Sequence, residues 1–233
     1  MMPWGGEKRR SSRRKPAVIP AKAGTHPGTA HQRHPWVPAF AGMTGSGATL
    51  PAMFQLRSIK HCKTCGSPTE YRIPPDDSLE RATCTVCGTI HYENPLNVVG
   101  TLPVWGDQVL LCKRNIEPRF GLWTLPAGFM ELQETIEQGA VRETVEEAGA
   151  RVELQGLYTL LNVVHVGQVH FFYRARLLDT DFAPGPETIE ARLFSEEEVP
   201  WDELAFRTVR ETLKHFFADR KRGQYELLCA DIR

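Results

Sequence analysis

Residues 128–150 read GFMELQETIEQGAVRETVEEAGA and carry the strongest structural signal in the chain, a glycine-led turn followed by a short helix with crowded acids. Glu143, Glu146 and Glu147 lie at positions i, i+3 and i+4 of that helix, so their carboxylates share one face. Like charges at this spacing raise one another's pKa unless a cation neutralises them. Because carboxylate oxygens suit Mg²⁺ or Mn²⁺, the face predicts a site for divalent cations.

The same stretch carries the signals that begin and end a helix. Thr135, followed three residues later by Gln138, predicts a capping box, and Gly149 falls where a left-handed residue ends a helix. A period of about 3.6 residues places small or apolar side chains on another side of the helix. That side predicts contact with a sheet, and its members are Ile136, Ala140, Thr144 and Ala148.

This arrangement resembles the Nudix box, G-x5-E-x7-R-E-U-x-E-E-x-G-U, in which U is an aliphatic residue. The matching positions are Gly128, Glu134, Arg142, Glu143, Glu146, Glu147 and Gly149. One aliphatic position departs from the pattern, because it holds Thr144, which is close to valine in shape but adds a hydroxyl. The departure leaves the acidic face intact. A solvated acidic helix, the alternative, accounts for a run of glutamates but not for this set of fixed positions.

A second signal precedes the box, namely two C-x2-C pairs separated by 18 residues, 66–83. The four cysteines are Cys62, Cys65, Cys84 and Cys87. This spacing matches a site in which four thiolates hold Zn²⁺ and leave no open position for catalysis. The alternative, two disulfides, requires an oxidising compartment, and the sequence shows no secretory signal or membrane-spanning run. We therefore expect structural Zn²⁺, with Cys112 outside the site in a buried strand.

Residues 1–53 differ in composition from the rest of the chain. They carry 8 basic residues against 1 acidic residue, a net charge of +7, which leaves −7 for the remainder because the whole chain is neutral. The segment is rich in Pro, Gly and Arg and has no helix or strand period, so we expect it to be disordered.

Within this segment, VIPAKAGTH at 18–26 is echoed by VPAFAGMT at 37–44. The echo resembles the translation product of an intergenic palindromic repeat of bacterial DNA, which favours Met53 as the true start. An Arg-rich transit peptide and a nucleic-acid-binding arm are the competing interpretations. With reduced cysteines, the favoured interpretation implies a protein of the bacterial cytoplasm.

The remaining pattern predicts a zinc ribbon over residues 58–93 and a second domain over 94–225. Strands are predicted at 97–105, 108–113, 152–164, 168–178 and 191–194, with an amphipathic helix at 207–220 that closes the chain. This order predicts an α+β fold with a mixed sheet between helices. The resemblance implies the Nudix α/β/α sandwich.

Three further segments resemble a narrower group, the zinc-ribbon Nudix hydrolases that cleave dinucleotide pyrophosphates. They are HYENP at 91–95, GLWTLPAG at 121–128 and PGPETIEAR at 184–192. The likeness is stronger to FAD and ADP-ribose pyrophosphatases than to NADH pyrophosphatases. The resemblance implies two or three Mg²⁺ ions held by the Ala127 carbonyl, Glu143, Glu147 and Glu190, with Glu146 as a further ligand or water-orienting group and Arg142 as the residue that positions the carboxylates. It also implies a substrate contact for Tyr92, for which packing between the ribbon and the sheet is the alternative.

The reaction implied by the resemblance is hydrolysis of FAD, ADP-ribose or NADH to AMP and a second phosphate. The general base stays open among Glu146, Glu187 and Glu190. Large aromatic residues near the box have two interpretations: Phe129 and Trp123 could stack on adenine or flavin, yet large aromatic residues that flank a strand are more often part of the core, Trp123 more so than Phe129.

Two alternative functions remain: hydrolysis of the nicotinamide cap of RNA, and a Nudix-like regulator without catalysis. The regulator predicts a damaged box and a basic folded surface, but the metal-binding positions of the box are complete and the folded part is acidic. Nucleic acid is therefore not an expected partner, because contacts with bulk phosphate would be weak. The expected partner is a nucleotide-derived small molecule, with a homodimer implied by the resemblance and no membrane association.

Overall fold

The computed structural model describes residues 59–233, and the predictions for residues 1–53 lie outside that range. The ribbon contains three short strands, β1 (Thr69–Arg72), β2 (Arg81–Cys84) and β3 (Ile90–His91), which pair antiparallel in the order β1-β2-β3. Gly66 and Gly88 follow the second cysteine of each C-x2-C pair with φ of 76° and 73°. Such left-handed turns bring the backbone close to the sulfur atoms, and glycine adopts them without strain.

The second sheet is mixed, as predicted. Its strands are β4 (Leu96–Trp105), β5 (Gln108–Arg114), β6 (Trp123–Thr124), β7 (Ala127–Phe129), β8 (Val152–Val163), β9 (Gln168–Leu177), β10 (Thr188–Phe194) and β11 (Leu228–Ile232). The order is β10-β5-β4-β9-β8-β11, while β6 pairs with β5 and β7 pairs with β4. The β4–β9 and β8–β11 pairs are parallel, and the others are antiparallel.

Two helices cover opposite faces of this sheet. Helix α1 (Ile136–Ala148) begins at the predicted Thr135–Gln138 capping box and ends at Gly149, which has a left-handed φ of 60°. Its small side chains pack near Val99 and Tyr173 on one face, while helix α2 (Arg207–Arg222) buries its apolar side on the other. The buried apolar residues of α2 are those that the periodicity predicts: Val209, Leu213, Phe216 and Phe217. The α/β/α sandwich is thus confirmed.

The end of the chain differs from the prediction, because α2 is followed by strand β11, which pairs with β8 and extends the sheet to residue 232. Several contacts anchor the connecting segment; among them, the buried carboxylate of Asp219 accepts the backbone N–H of Glu226, and the centre of the Tyr225 ring lies 3.7 Å from the Arg174 guanidinium. A five-residue strand whose partner lies far back in the sequence gives little local signal. Among residues 59–233, no helix has the length and apolar character needed to cross a membrane.

Candidate active site

The acidic end of α1 opens onto a cavity of about 800 Å³. Glu143, Glu146 and Glu147 line it together with the β7 residues Ala127 and Phe129. The rest of the lining comes from the end of β5 and the loop after it, the start of β9 and the segment before β10. Residues far apart in the sequence therefore converge on the carboxylate face that the box predicts.

Arg142 organises the carboxylates from within the helix. Its Nε and Nη2 atoms donate to the two oxygens of Glu134 at 3.0 and 2.8 Å, a two-point contact. Its Nη1 atom donates to one oxygen of Glu143 at 2.7 Å and one of Glu146 at 3.0 Å. Hydrogen bonds from Arg142 hold the pKa of Glu134 down at about 2. One oxygen of each of Glu143 and Glu146 is thus directed to Arg142, and the second can serve a cation.

Glu147 is the most buried of these carboxylates, with 6% of its surface exposed. One of its oxygens accepts the backbone N–H of Ala127 at 3.0 Å, which ties α1 to β7. Burial raises the pKa of Glu147 to about 8, and burial also raises the pKa of Glu143. The ionised carboxylates are costly in this position without a positive partner, so the donor set fits a divalent cation.

The absent side chain of Gly128 makes room for the site. A Cβ atom at this position would overlap the carboxylate group of Glu143. Gly128, the first glycine of the box, is therefore needed because it lets a carboxylate approach closely. Its φ is not in the left-handed region, so the backbone conformation is not the reason for glycine at this position.

The structure places the two downstream acids, Glu187 and Glu190, differently with respect to the cavity. Glu187 lines the cavity, and its charge raises the pKa values of Glu143 and Glu147. Glu190 lies on β10 in register with Lys113, is exposed and is absent from the cavity wall. An irregularity between Thr188 and Glu190 shifts the strand register at this point. The geometry therefore favours Glu187 over Glu190 as the fourth acid of the site.

Arg114 is a site residue that the sequence reasoning missed. It ends β5 inside the cavity with 8% of its surface exposed. Its Nε atom donates to the carbonyl of Pro118 at 3.0 Å, and its guanidinium lies 5.1 Å from the centre of the Phe206 ring. The only signal in the sequence was a basic residue at the end of a buried strand. That signal indicates a site residue only once the structure shows that the acids of α1 line the same cavity.

The aromatic residues divide as the sequence allows. Phe129 lines the cavity with 53% of its surface exposed, which leaves its ring accessible to a ligand. Trp123 is buried and packs edge-on against Phe194, with the ring centres 4.8 Å apart. Tyr92 is exposed beside the ribbon residue Arg81 and is not part of the cavity wall. Its predicted contact with substrate has no support from this geometry.

One further side chain of the cavity wall is a buried histidine of strand β9, which the sequence pattern left as a structural residue. His170 has 8% of its surface exposed, and its Nε2 atom pairs with the side-chain oxygen of Gln168 at 3.0 Å. Burial lowers the pKa of His170 to about 4, so the ring is neutral near pH 7. The neighbouring residues of the wall include Val98 and Met130. This part of the cavity is therefore largely uncharged, unlike the part below α1.

The ribbon brings its four cysteines into one cluster. Their sulfur atoms all lie within 4.8 Å of one another, and three of the separations are 3.5 or 3.6 Å. Zinc–sulfur bonds of about 2.3 Å in a tetrahedron give sulfur separations of about 3.8 Å, whereas a disulfide needs about 2.05 Å. Backbone N–H groups of Thr64, Val86 and Cys87 donate to the sulfur atoms of Cys62 and Cys84. The tetrad fits a structural zinc and not two disulfides.

Comparison with known families agrees with this geometry. A model described as Nudix N-terminal, a zinc ribbon, matches residues 60–93, and the NUDIX domain model matches residues 95–218. The chain belongs to the Nudix family.

A solved NUDIX hydrolase from Nitrosomonas europaea is 50% identical, covers 75% of this chain and 99% of its own, and superposes with a TM-score of 0.73. The NAD-capped RNA hydrolase NudC of Stutzerimonas stutzeri (strain A1501) is 30% identical over 60% of this chain and 50% of its own length. NudC of Salmonella heidelberg (strain SL476) is 32% identical over 48% of this chain and 40% of its own. The chain thus spans about half the length of the curated relatives it matches.

Proposed function

We propose that this protein hydrolyses the pyrophosphate of a nucleoside diphosphate derivative to AMP and a second phosphate, with Mg²⁺ or Mn²⁺ as the catalytic cations. The observation that carries the proposal is the convergence of Glu143, Glu146, Glu147 and Glu187 on one cavity that also contains Arg114. A substrate with two anionic phosphates needs two kinds of positive group to bind it: cations held by carboxylates, and a fixed positive side chain. The cavity offers the two together.

Each residue has a proposed part in the reaction. Glu143, Glu146, Glu147 and the Ala127 carbonyl hold the cations, and Arg142 orients the carboxylates through charge-assisted hydrogen bonds. When bound, the cations would screen the phosphates, lower the pKa of the attacking water and stabilise the leaving phosphate.

Two further roles in the reaction belong to cavity residues outside the box, Arg114 and Glu187. Arg114 binds a phosphate of the substrate, because its guanidinium is the positive group that the cavity offers outside the box. Glu187 accepts the proton of the attacking water or completes the set of ligands. Glu190, the acid implied by the resemblance, is the competing choice for that role.

The substrate class follows from the rest of the cavity. Its volume of about 800 Å³ lies in the range of small-molecule sites and accommodates a dinucleotide. The exposed ring of Phe129 offers a stacking surface for a base or flavin beside the carboxylates. FAD, ADP-ribose and NADH all combine a planar ring with a pyrophosphate, and they are the proposed substrates.

Hydrolysis of NAD-capped RNA is the second proposed function. It is favoured by the similarity of the chain to the NAD-capped RNA hydrolases of Stutzerimonas and Salmonella, although the chain spans only about half the length of those relatives. The net charge of −7 outside residues 1–53 opposes a long RNA contact. If RNA is a substrate, binding should rest on the cap and not on the chain of phosphates behind it.

A product-resolved screen tests the proposal. Full-length protein is incubated with Mg²⁺ and FAD, NADH, NAD, ADP-ribose, coenzyme A or NAD-capped RNA, and the product is measured as AMP, as adenosine 3′,5′-bisphosphate for coenzyme A, or as 5′-phosphorylated RNA. We expect turnover of at least one substrate, its loss in Glu147→Gln, and its retention in Glu137→Gln. Glu137 is an exposed acid of the first turn of the same helix, so it controls for the loss of one charge. Folded protein without turnover of any substrate contradicts the proposal.

A paired substitution decides between the two downstream acids. If Glu187 serves the reaction, Glu187→Gln lowers kcat by about 100-fold or more, the typical contribution of general acid–base catalysis. Glu190→Gln then has the smaller effect, because its side chain lies outside the cavity wall. The reverse order would return Glu190 to the role that the resemblance implies.

A further inference from the structure

Thr144, the residue that departs from the aliphatic pattern of the box, makes a directional hydrogen-bond chain. It is completely buried, and its hydroxyl donates to the Ala140 carbonyl at 2.7 Å. The Thr101 hydroxyl of β4, also completely buried, lies 2.6 Å from the Thr144 oxygen. Because the one proton of Thr144 is directed to Ala140, Thr101 must be the donor of the pair. Both hydroxyls are thereby satisfied in the core.

This pair closes a ring of contacts around the metal-binding end of α1. The backbone N–H of Thr101 donates to the Pro126 carbonyl at 3.1 Å, which ties β4 to the segment that enters β7. The next residue, Ala127, donates its N–H to Glu147, one turn beyond Thr144 on α1. From there the helix leads back to Thr144 and Thr101. Three elements are thus joined by three hydrogen bonds, with Glu143 and Glu147 on either side of the threonine.

Strand β4 and the segment that enters β7 pack too closely for either to move independently of the other. A Cβ atom on Gly100, the neighbour of Thr101, would overlap the Ala127 side chain and the Pro126 carbonyl. The strand that carries Thr101 and the segment that carries Ala127 are therefore in tight contact. A shift of α1 relative to β4 would move Glu147 relative to Ala127.

We propose that Thr101 and Thr144 are a positioning pair that sets where α1 sits on β4, and thereby where Glu143 and Glu147 present their oxygens to the catalytic cations. The inference rests on the proposed function, because it concerns the same cation site. It gives the departure from the aliphatic pattern a role: the hydroxyl replaces a non-directional apolar contact with a directional one.

The test measures cation binding directly. Zinc-loaded full-length protein is titrated with Mn²⁺ by calorimetry, without substrate. We expect Thr144→Val and Thr101→Val to weaken Mn²⁺ binding by about tenfold, the lower end of what loss of an outer-shell partner costs. In hydrolysis assays the Mg²⁺ concentration for half-maximal rate should rise, while kcat at saturating Mg²⁺ changes less.

The protein contains a matched control for these variants. Thr159 of β8 and Thr212 of α2 form another buried pair of hydroxyls, 3.0 Å apart, against the helix on the other face of the sheet. Thr159→Val and Thr212→Val should lower the denaturation temperature to a similar extent and leave Mn²⁺ affinity within about twofold of wild type. A loss of affinity that follows stability alone in all four variants would overturn the positioning role.

Two more variants complete the test. Thr144→Ser retains the hydroxyl and should retain Mn²⁺ affinity. The double variant Thr101→Val/Thr144→Val leaves neither hydroxyl unpaired, so its loss should be smaller than the product of the two single losses.

The outcomes separate the two proposals. If Thr144→Val does not fold, Thr101→Val alone still decides, because Thr144 keeps its bond to Ala140. Wild-type protein that binds no Mn²⁺ would contradict the proposed function, whereas Mn²⁺ binding that is equal in wild type and both valine variants would contradict the positioning pair alone.

Discussion

Substitution of Gly128 by alanine should separate activity from stability. A Cβ atom at this position would occupy the space of the Glu143 carboxylate. The atoms displaced belong to the end of a flexible side chain, so Glu143 can rotate away without movement of the backbone. We therefore expect Gly128→Ala to fold and to lose the geometry of one cation ligand.

The magnitudes follow from what Glu143 leaves behind. Its movement breaks the 2.7 Å hydrogen bond with Arg142, whose side chain is 24% exposed while that of Glu143 is 12% exposed. A charge-assisted bond in such a partly buried place contributes about 1–2 kcal/mol to the free energy of unfolding. Misplacement of a catalytic group by about 1 Å costs about 100-fold in rate. The expected result is a small loss of stability with a large loss of activity.

Urea denaturation and steady-state hydrolysis of the substrate identified by the screen measure the two effects. Gly185→Ala is the contrasting variant, because a Cβ atom there would overlap the backbone carbonyl of Glu146 and force the chain itself to shift. It should lose more stability than Gly128→Ala. If Gly128→Ala retains activity within about twofold of wild type, or loses more than about 3 kcal/mol of stability, the reasoning about this contact is wrong.

Three further predictions concern other parts of the molecule. Arg142→Lys keeps the charge but not the two-point contact with Glu134, so the free energy of unfolding in urea should fall by about 2 kcal/mol, and unchanged stability would contradict this. The folded-state pKa of His170 is lowered to about 4 from 6.5, so its contribution to stability is complete above pH 6.5 and is lost as the pH falls towards 4. Between pH 7 and pH 5 the free energy of unfolding should fall by about 2 kcal/mol more in wild type than in His170→Phe, and equal slopes would refute the assignment. Cys84→Ser removes one of four ligands, so elemental analysis should find the zinc content reduced from about one per chain to near zero, whereas full zinc occupancy would exclude the tetrad as its site.

The parts of the structure that the sequence predicted are those with local causes. Helix α1 begins and ends where Thr135, Gln138 and Gly149 place its limits, because caps and periodicity act within a few residues. The cysteine tetrad could be predicted for the same reason, because two C-x2-C pairs at a fixed spacing define it.

The parts that were missed depend on contacts between distant segments. Glu187 lines the cavity and Glu190 does not, and the register is irregular between Thr188 and Glu190 at the start of β10, which begins at Thr188, earlier than predicted. Arg114 has no local feature that marks it, and only the folded sheet brings it to the cavity that α1 lines. In both examples, contacts between distant segments, and not residue type, determine which side chains line the cavity.

Strand β11 has a practical consequence for anyone who shortens this protein. Its backbone pairs with β8 from Leu228 to Ile232, so it shields the outer row of amide and carbonyl groups of that strand. A truncation after residue 225, where the sequence pattern fades, would strip this cover and expose a long edge rich in leucine and valine. Such bare edges recruit further chains by strand addition, so the shortened protein should self-associate into insoluble material.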